Sequence, residues 1–307
     1  MPELPEVQTT VNGLNKTVKG RKIVDVWTDY KSTHKMFKGS IKEPKFFNSF
    51  KKQIRNQTIL KSERRAKNIL IHLTNNKTIL IHMKMTGHLM YGKYEKDGNK
   101  WKPVGRGPLA DSFNQFIHLV FVLDNGRELA FSDMRKFAKV TLINTDKLDE
   151  SLHVSELGPE PLDKKFTFEV FKQRLLKKPK GKIKTTLMDQ TLISGIGNIY
   201  SDEILWRAGV NPLSIVGAIP DKNLKQMYKA TQETLRKGID FGGDSMSDYR
   251  NIYGERGKFQ EHHRAYRRTD KKCSKSGCKG IIKRIVVGAR SAHLCPVHQN
   301  LFKKPIK

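Results

Sequence analysis

The chain has 307 residues, enough for two domains with separate cores, and its 37% hydrophobic and 8% aromatic content excludes a disordered polymer. With 59 Lys and Arg against 30 Asp and Glu, the formal net charge of +29 points to a polyanion, nucleic acid first, as the partner. No apolar run approaches a membrane span and no signal-peptide pattern precedes the Pro-Glu start, so a cytoplasmic protein without membrane attachment is expected.

The chain opens Met1-Pro2-Glu3-Leu4-Pro5-Glu6-Val7. Removal of Met1 would turn Pro2 into a free secondary amine beside two carboxylates, Glu3 and Glu6. An α-amino group titrates near ~8, and a helix start lowers it further, so part of it is an unprotonated nucleophile at neutral pH. Such an amine can attack a sugar carbon and carry the substrate as an iminium, with Glu3 moving protons. The same residues also serve as ordinary helix-start chemistry. Val7, Val11, Leu14 and Val18 follow on one face of a helix closed by Gly20.

Strands are predicted over 22–27, 58–62, 68–73, 78–83, 117–123, 128–132 and 138–142, with turn signals at Asn75-Asn76 and Asp124-Asn125-Gly126. Short strands joined by hairpins read as an antiparallel sandwich or barrel. The stretch 91–111, rich in Gly, Lys and Pro, reads as an exposed, mobile loop. His82-Met83-Lys84-Met85-Thr86-Gly87 and Met134-Arg135-Lys136-Phe137 each end a strand with a long apolar side chain beside a base. Wedges of this kind fill the stack when a nucleotide is extruded, although an isolated Met or Phe also suits a core.

Leu157-Gly158-Pro159-Glu160-Pro161-Leu162 marks a linker into helical sequence, with helices predicted over 166–176, 182–188, 199–208 and 224–235. Ser194-Gly195-Ile196-Gly197-Asn198 leads into the third of these, either as a tight turn or as backbone N–H groups facing an anion. Another glycine-punctuated stretch spans 241–260. The cysteines Cys273, Cys278 and Cys295 are odd in number and confined to the last segment, which argues against a disulfide framework. The spacing Cys273-x4-Cys278-x16-Cys295-x2-His298 is that of a hairpin carrying one closed, structural, tetrahedral zinc site, with His293 as a competing fourth ligand. Arg264, Arg267, Arg268, Lys271, Lys272, Arg284 and Arg290 crowd this region as a phosphate-binding surface.

Taken together, the proline amine, the wedge motifs and the zinc hairpin resemble the bacterial formamidopyrimidine-DNA glycosylase family. The resemblance also rests on Arg64-Arg65-Ala66-Lys67, Asp133-Met134-Arg135-Lys136-Phe137, Leu187-Met188-Asp189-Gln190, Gly195-Ile196-Gly197-Asn198-Ile199-Tyr200 and Arg290-Ser291-Ala292-His293-Leu294-Cys295-Pro296. It implies an α+β fold with an N-terminal antiparallel β-sandwich and flanking helices over 1–150. A helical helix-two-turn-helix DNA-binding domain over 151–260 follows, then a zinc β-hairpin and tail over 261–307. It further implies a monomeric base-excision glycosylase and AP lyase acting on double-stranded DNA that contains damaged bases or abasic sites, in the bacterial nucleoid. The lesions are oxidised or ring-opened purines, such as 8-oxoguanine and formamidopyrimidines, and the strand is cut by β,δ-elimination.

By position, the resemblance makes Pro2 the nucleophile at C1′, Glu3 the acid for the sugar ring oxygen and Glu6 a supporting carboxylate. Lys67, Asn198 and Arg290 match residues gripping the phosphates around the flipped nucleotide, and Lys184 a lysine lining the same pocket. Met85, Arg135 and Phe137 match the trio entering the vacated space, with the arginine reading the opposite base. The stretch 242–260 resembles the loop that covers an oxidised purine. Two features depart from the family pattern: the usual fourth zinc ligand is a cysteine where this chain has His298, and 91–111 is longer than usual. The rival readings are an endonuclease VIII-like glycosylase for oxidised pyrimidines, a non-catalytic zinc DNA-binding protein and, on charge alone, an RNA-associated protein.

Overall fold

The computed structural model describes residues 1–303, the Met36 side chain excepted, so the last four residues of the expected 261–307 segment lie outside the described residues. The chain forms two compact units, Met1–Ser155 with Phe241–Lys258, and Glu156–Asp240 with the chain from Phe259 onward.

The first unit is built on two four-stranded antiparallel sheets. One has the order β1 (Ile23–Thr28), β8 (Ile117–Leu123), β9 (Glu128–Ser132), β5 (His88–Gly92). The other runs β10 (Lys139–Asn144), β4 (Lys77–His82), β3 (Asn68–Leu73), β2 (Ile59–Arg65). Period-two alternation decides which side chains meet between them. Leu119, Phe121, Leu123, Leu129 and Phe131 of the first sheet share one core with Ile69, Ile71, Leu73, Ile79 and Ile81 of the second. Helix α1 (Leu4–Thr17) adds Val7, Val11 and Leu14 to that core, and Val18 just past its end joins them, so the predicted stripe is the buried face. Helix α2 (Pro44–Ile54), for which the sequence reading has no counterpart, adds Phe50 and Ile54; its Pro44 is a helix-start proline.

The segment 91–111 is a folded cover and not the mobile loop expected from its composition. Strands β6 (Tyr94–Asp97) and β7 (Lys100–Pro103) pair as a hairpin. Tyr94 and Trp101 pack on the outer face of the first sheet against Met90, Ile117, Val120 and Ala130, and Trp101 lies 6.3 Å from Trp27 between ring centroids. Lysine and glycine dominate the composition, but the few aromatic residues remove that outer face from water.

In the second unit, α3 (Phe168–Leu176) is capped by Thr167, and α4 (Ile183–Leu187) precedes the Gly195-Ile196-Gly197 turn. Helix α5 (Asn198–Ala208) then ends on left-handed Gly209, and α6 (Asp221–Asp240) packs against it. A terminal hairpin of β11 (Lys283–Val287) and β12 (Arg290–Leu294) lies on α5. Its two-residue turn, Gly288-Ala289, has positive φ at both positions, the geometry that matches strand twist and places Arg290 directly after the tip. Among the described residues no helix is long and apolar enough to cross a membrane.

Candidate active site and metal centre

Pro2, Glu3 and Glu6 are all buried where α1 begins. Glu3 and Glu6 form a reciprocal capping box: the Glu6 carboxylate accepts the Glu3 backbone N–H at 2.7 Å, and the Glu3 carboxylate accepts the Glu6 N–H. The other Glu6 oxygen accepts the Asp244 N–H at 2.7 Å, and the Tyr249 hydroxyl donates to the Glu6 carbonyl at 3.0 Å. Glu6 therefore joins α1 to the 241–258 segment, and Gly243 permits the approach: at φ +87°, a Cβ there would lie 3.0 Å from Glu6 Cγ. Farther along, Arg250 bonds the Asp111 carboxylate at 3.2–3.3 Å, and the Tyr91 N–H donates to the Ile252 carbonyl at 2.7 Å.

Two turns in this unit present the side chains expected to act as wedges. Lys84 and Lys136 both have φ +55°, a left-handed backbone that is strained for a lysine, and each directly precedes an exposed apolar side chain. These are Met85, 37% exposed, and Phe137, 48% exposed; the Arg135 guanidinium lies 4.5 Å from the Phe137 ring centroid. Asp133 ties the turns together from below. Its carboxylate accepts from the Thr86 hydroxyl at 2.6 Å, the Ala138 N–H at 2.8 Å and the Tyr30 hydroxyl at 3.2 Å. Thr86 in turn accepts the Arg135 N–H at 3.1 Å.

Lys67 follows left-handed Ala66 in the β2–β3 turn and is buried at the closing pair Arg65 and Asn68. Asn68 and Lys139 both pair with His82, a residue absent from the sequence-derived site. The His82 imidazole accepts the Lys84 N–H at 3.0 Å. Loss of water, then Lys84 and Lys67, push it down to about 3. Burial first, then positive neighbours, also lower Lys139 and His153. An anion bound beside these groups would favour their charged forms, so the cluster suits an anion. Unfolded, His82 takes a proton near ~6.5; folded, it does so only far below. His82 thus withdraws stability as pH falls from 6.5 towards 3 and none above that window. His82→Gln should lose less stability than the parent chain between pH 7 and 4.5 in urea titrations; equal losses would refute the assignment.

In the second unit, Gln190 pins the glycine turn by donating to the Met188 and Ile196 carbonyls and accepting the Gly195 N–H, all at 2.8–2.9 Å. Asn198, first in α5, keeps a buried side-chain oxygen with no hydrogen-bond partner among the described residues. Lys184 is fully buried within its unit. At 0% exposure its ammonium donates to Asp202 at 2.6 Å, Ser201 at 3.1 Å and the Asn198 carbonyl at 3.4 Å. The second Asp202 oxygen accepts both the backbone N–H and the ring Nδ1–H of His293, each at 2.9 Å. His293 is thereby engaged away from the cysteines.

Cys273, Cys278, Cys295 and His298 bring their donor atoms within 4.8 Å of one another and form a group that can hold a metal ion. Cys278 and Cys295 Sγ are 3.6 Å apart and Cys273 Sγ is 3.3 Å from His298 Nδ1, near the ~3.8 Å edge of a tetrahedron with ~2.3 Å metal–sulfur bonds. His298 Nε2–H donates to the Trp206 carbonyl at 3.0 Å, which selects the tautomer whose Nδ1 lone pair faces the sulfurs.

Comparison with known proteins decides what this arrangement belongs to. Residues 1–140 match the formamidopyrimidine-DNA glycosylase N-terminal domain, and residues 157–250 match the H2TH domain of the same enzymes. The chain belongs to the formamidopyrimidine-DNA glycosylase family. It is 36% identical to the formamidopyrimidine-DNA glycosylase of Herpetosiphon aurantiacus over 97% of this chain and 100% of that one. With the Bacillus subtilis enzyme the identity is 36% over 96% of this chain and 98% of the other. A crystal structure of a Lactococcus lactis family member with Fapy-dG-containing DNA superimposes with a TM-score of 0.82 at 29% identity, covering 97% of this chain and 100% of that one. Membership makes the chain a DNA glycosylase of base-excision repair, and AP lyase activity is typical of the family. Other structures of the Lactococcus protein hold DNA with an abasic site or an oxidised pyrimidine.

Proposed function

We propose that, once Met1 is removed, the Pro2 amine is the nucleophile that releases oxidised or ring-opened purines from double-stranded DNA. The reading is carried by the capping box, which fixes the buried Glu3 carboxylate at the first turn of α1, directly after the buried Pro2. The amine attacks C1′, the bond to the base breaks with the base as leaving group, and Glu3 protonates the ring oxygen so that the sugar opens to an iminium. Loss of a C2′ proton then expels the 3′ phosphate, and a second elimination expels the 5′ phosphate. Glu6 keeps the first turn in place. Lys67, Asn198 and Arg290 hold phosphates, with His82 beside Lys67, while Lys184 supports Asn198 from beneath. Met85, Arg135 and Phe137 occupy the space left by the extruded nucleotide, with Arg135 facing the opposite base.

In this reading the enzyme is a monomer that works on the chromosome in the cytoplasm. Residues 1–150 supply the chemistry with 241–258 folded against them, the rest of 151–260 the helical DNA grip and 261–307 the zinc hairpin. Zinc suits three thiolates and an imidazole; when bound it holds the hairpin rigid, and the closed ligand set leaves no position for substrate. One zinc per chain is expected, and His298→Ala should weaken chelator-resistant binding at least about 100-fold and alter the spectrum of the cobalt-substituted protein. Unchanged affinity would remove His298 from the ligand set.

The direct test is borohydride trapping on duplexes carrying 8-oxoguanine or an oxidised pyrimidine, with the adduct mapped to a residue. An adduct at Pro2 on the purine supports the proposal. Trapping on the pyrimidine alone assigns the endonuclease VIII-like reading, and no adduct with Met1 removed overturns the nucleophile.

A further inference from the structure

Lys42 is 3% exposed, has no part in the chemistry above, and sits where a buried cation has to be explained. Its ammonium donates to the carbonyl of Lys136, the left-handed residue between Arg135 and Phe137. It also lies 4.2 Å from the Phe37 ring centroid and 5.1 Å from that of Tyr30. The Tyr30 hydroxyl donates to Asp133, the carboxylate that ties the two wedge turns together. The segment that carries Lys42 is fixed in turn: the Ile41 N–H donates to the Val140 carbonyl at 3.0 Å, and the Thr141 hydroxyl donates to the Gly39 carbonyl at 2.6 Å. One strained turn is thus held from two sides, by Asp133 with Thr86 on one and by Lys42 on the other.

We infer that Lys42 is a positioning residue for the 135–137 turn, and through it sets how strongly the enzyme discriminates the base opposite the lesion. The inference rests on the reading that Arg135 faces that base. An arginine reads a base edge by geometry, and a displacement of its turn by a fraction of an ångström weakens the correct pairing more than the incorrect ones. The groups around the ammonium leave it poised to titrate. Burial lowers Lys42 to about 8, Asp133 opposes that shift and Lys136 adds to it. Tyr30 stays neutral, raised far beyond its usual range by burial and by Asp133.

The test is single-turnover release of 8-oxoguanine opposite each of the four bases, read as the ratio of the best opposite base to the worst. Effects on the Pro2 amine cancel in that ratio. Lys42→Met should lower it about tenfold, Thr86→Val should act in the same direction, and Lys42→Arg should retain most of it. In the parent enzyme the ratio should fall as pH rises through about 8, and Lys42→Met should lack that step. The pH profile decides the matter if Lys42→Met does not fold. If Arg135→Ala leaves the ratio unchanged, the reading of Arg135 fails. If Arg135→Ala collapses the ratio while Lys42→Met keeps it, or the parent ratio is flat from pH 7 to about 9.5, the role of Lys42 is overturned.

Discussion

Replacing Pro2 by Gly is expected to abolish base release, lowering its single-turnover rate by at least about 10³-fold, because the effective concentration of a ring-constrained amine at C1′ is lost. Glycine restores a primary amine but not the constrained secondary amine, and it frees the chain just before the capping box. Glu3→Gln should lower base release by about 10²- to 10⁴-fold, the usual contribution of a positioned acid. The amide oxygen can still accept the Glu6 N–H that the Glu3 carboxylate accepts in the capping box, so the fold should survive. The two variants therefore differ in a useful way. On a duplex with a preformed, ring-opened abasic site, Glu3→Gln should still form a trappable iminium, while Pro2→Gly should form far less. Base release by Pro2→Gly at the parent rate would move the nucleophile elsewhere.

The second large effect is expected at Asp202. Lys184 and Asp202 are 0% and 1% exposed, and the aspartate also holds His293 of the terminal hairpin, so one carboxylate joins α4, α5 and β12. Asp202→Ala leaves an ammonium buried without its counter-charge, at a cost of about 3–5 kcal/mol. Thermal unfolding should move down by roughly 10 °C. The double variant Asp202→Ala with Lys184→Met should recover most of that loss, since it removes the orphaned charge as well. A drop of less than about 2 °C in the single variant would show that the pair contributes little. Because Lys184 also donates to the Asn198 carbonyl, Asp202→Ala should loosen the glycine turn and the hairpin together. DNA binding should weaken, with a shallower salt dependence as phosphate contacts are lost.

The sequence by itself determined the elements whose signal is local. The Val7, Val11, Leu14 and Val18 stripe, the alternating strands and the cysteine spacing report a periodicity or a ligand count, and each is legible within one short stretch of chain. The family motifs added an expected role for Pro2, Glu3, Lys67, Asn198 and Arg290. Tertiary structure alone decided the rest, because the physical cause lay far along the chain. Lysine-rich 91–111 folds because its aromatic residues meet the outer face of a sheet formed by other strands. Composition counts lysines but cannot see that face. His293 was an open candidate for the metal until Asp202, 91 residues away, proved to hold it. Asp133 meets Tyr30 across 103 residues, and Lys42 meets Lys136 across 94. A buried polar group is decided by the partner that satisfies it, and a one-dimensional pattern carries no record of which distant residue that partner is.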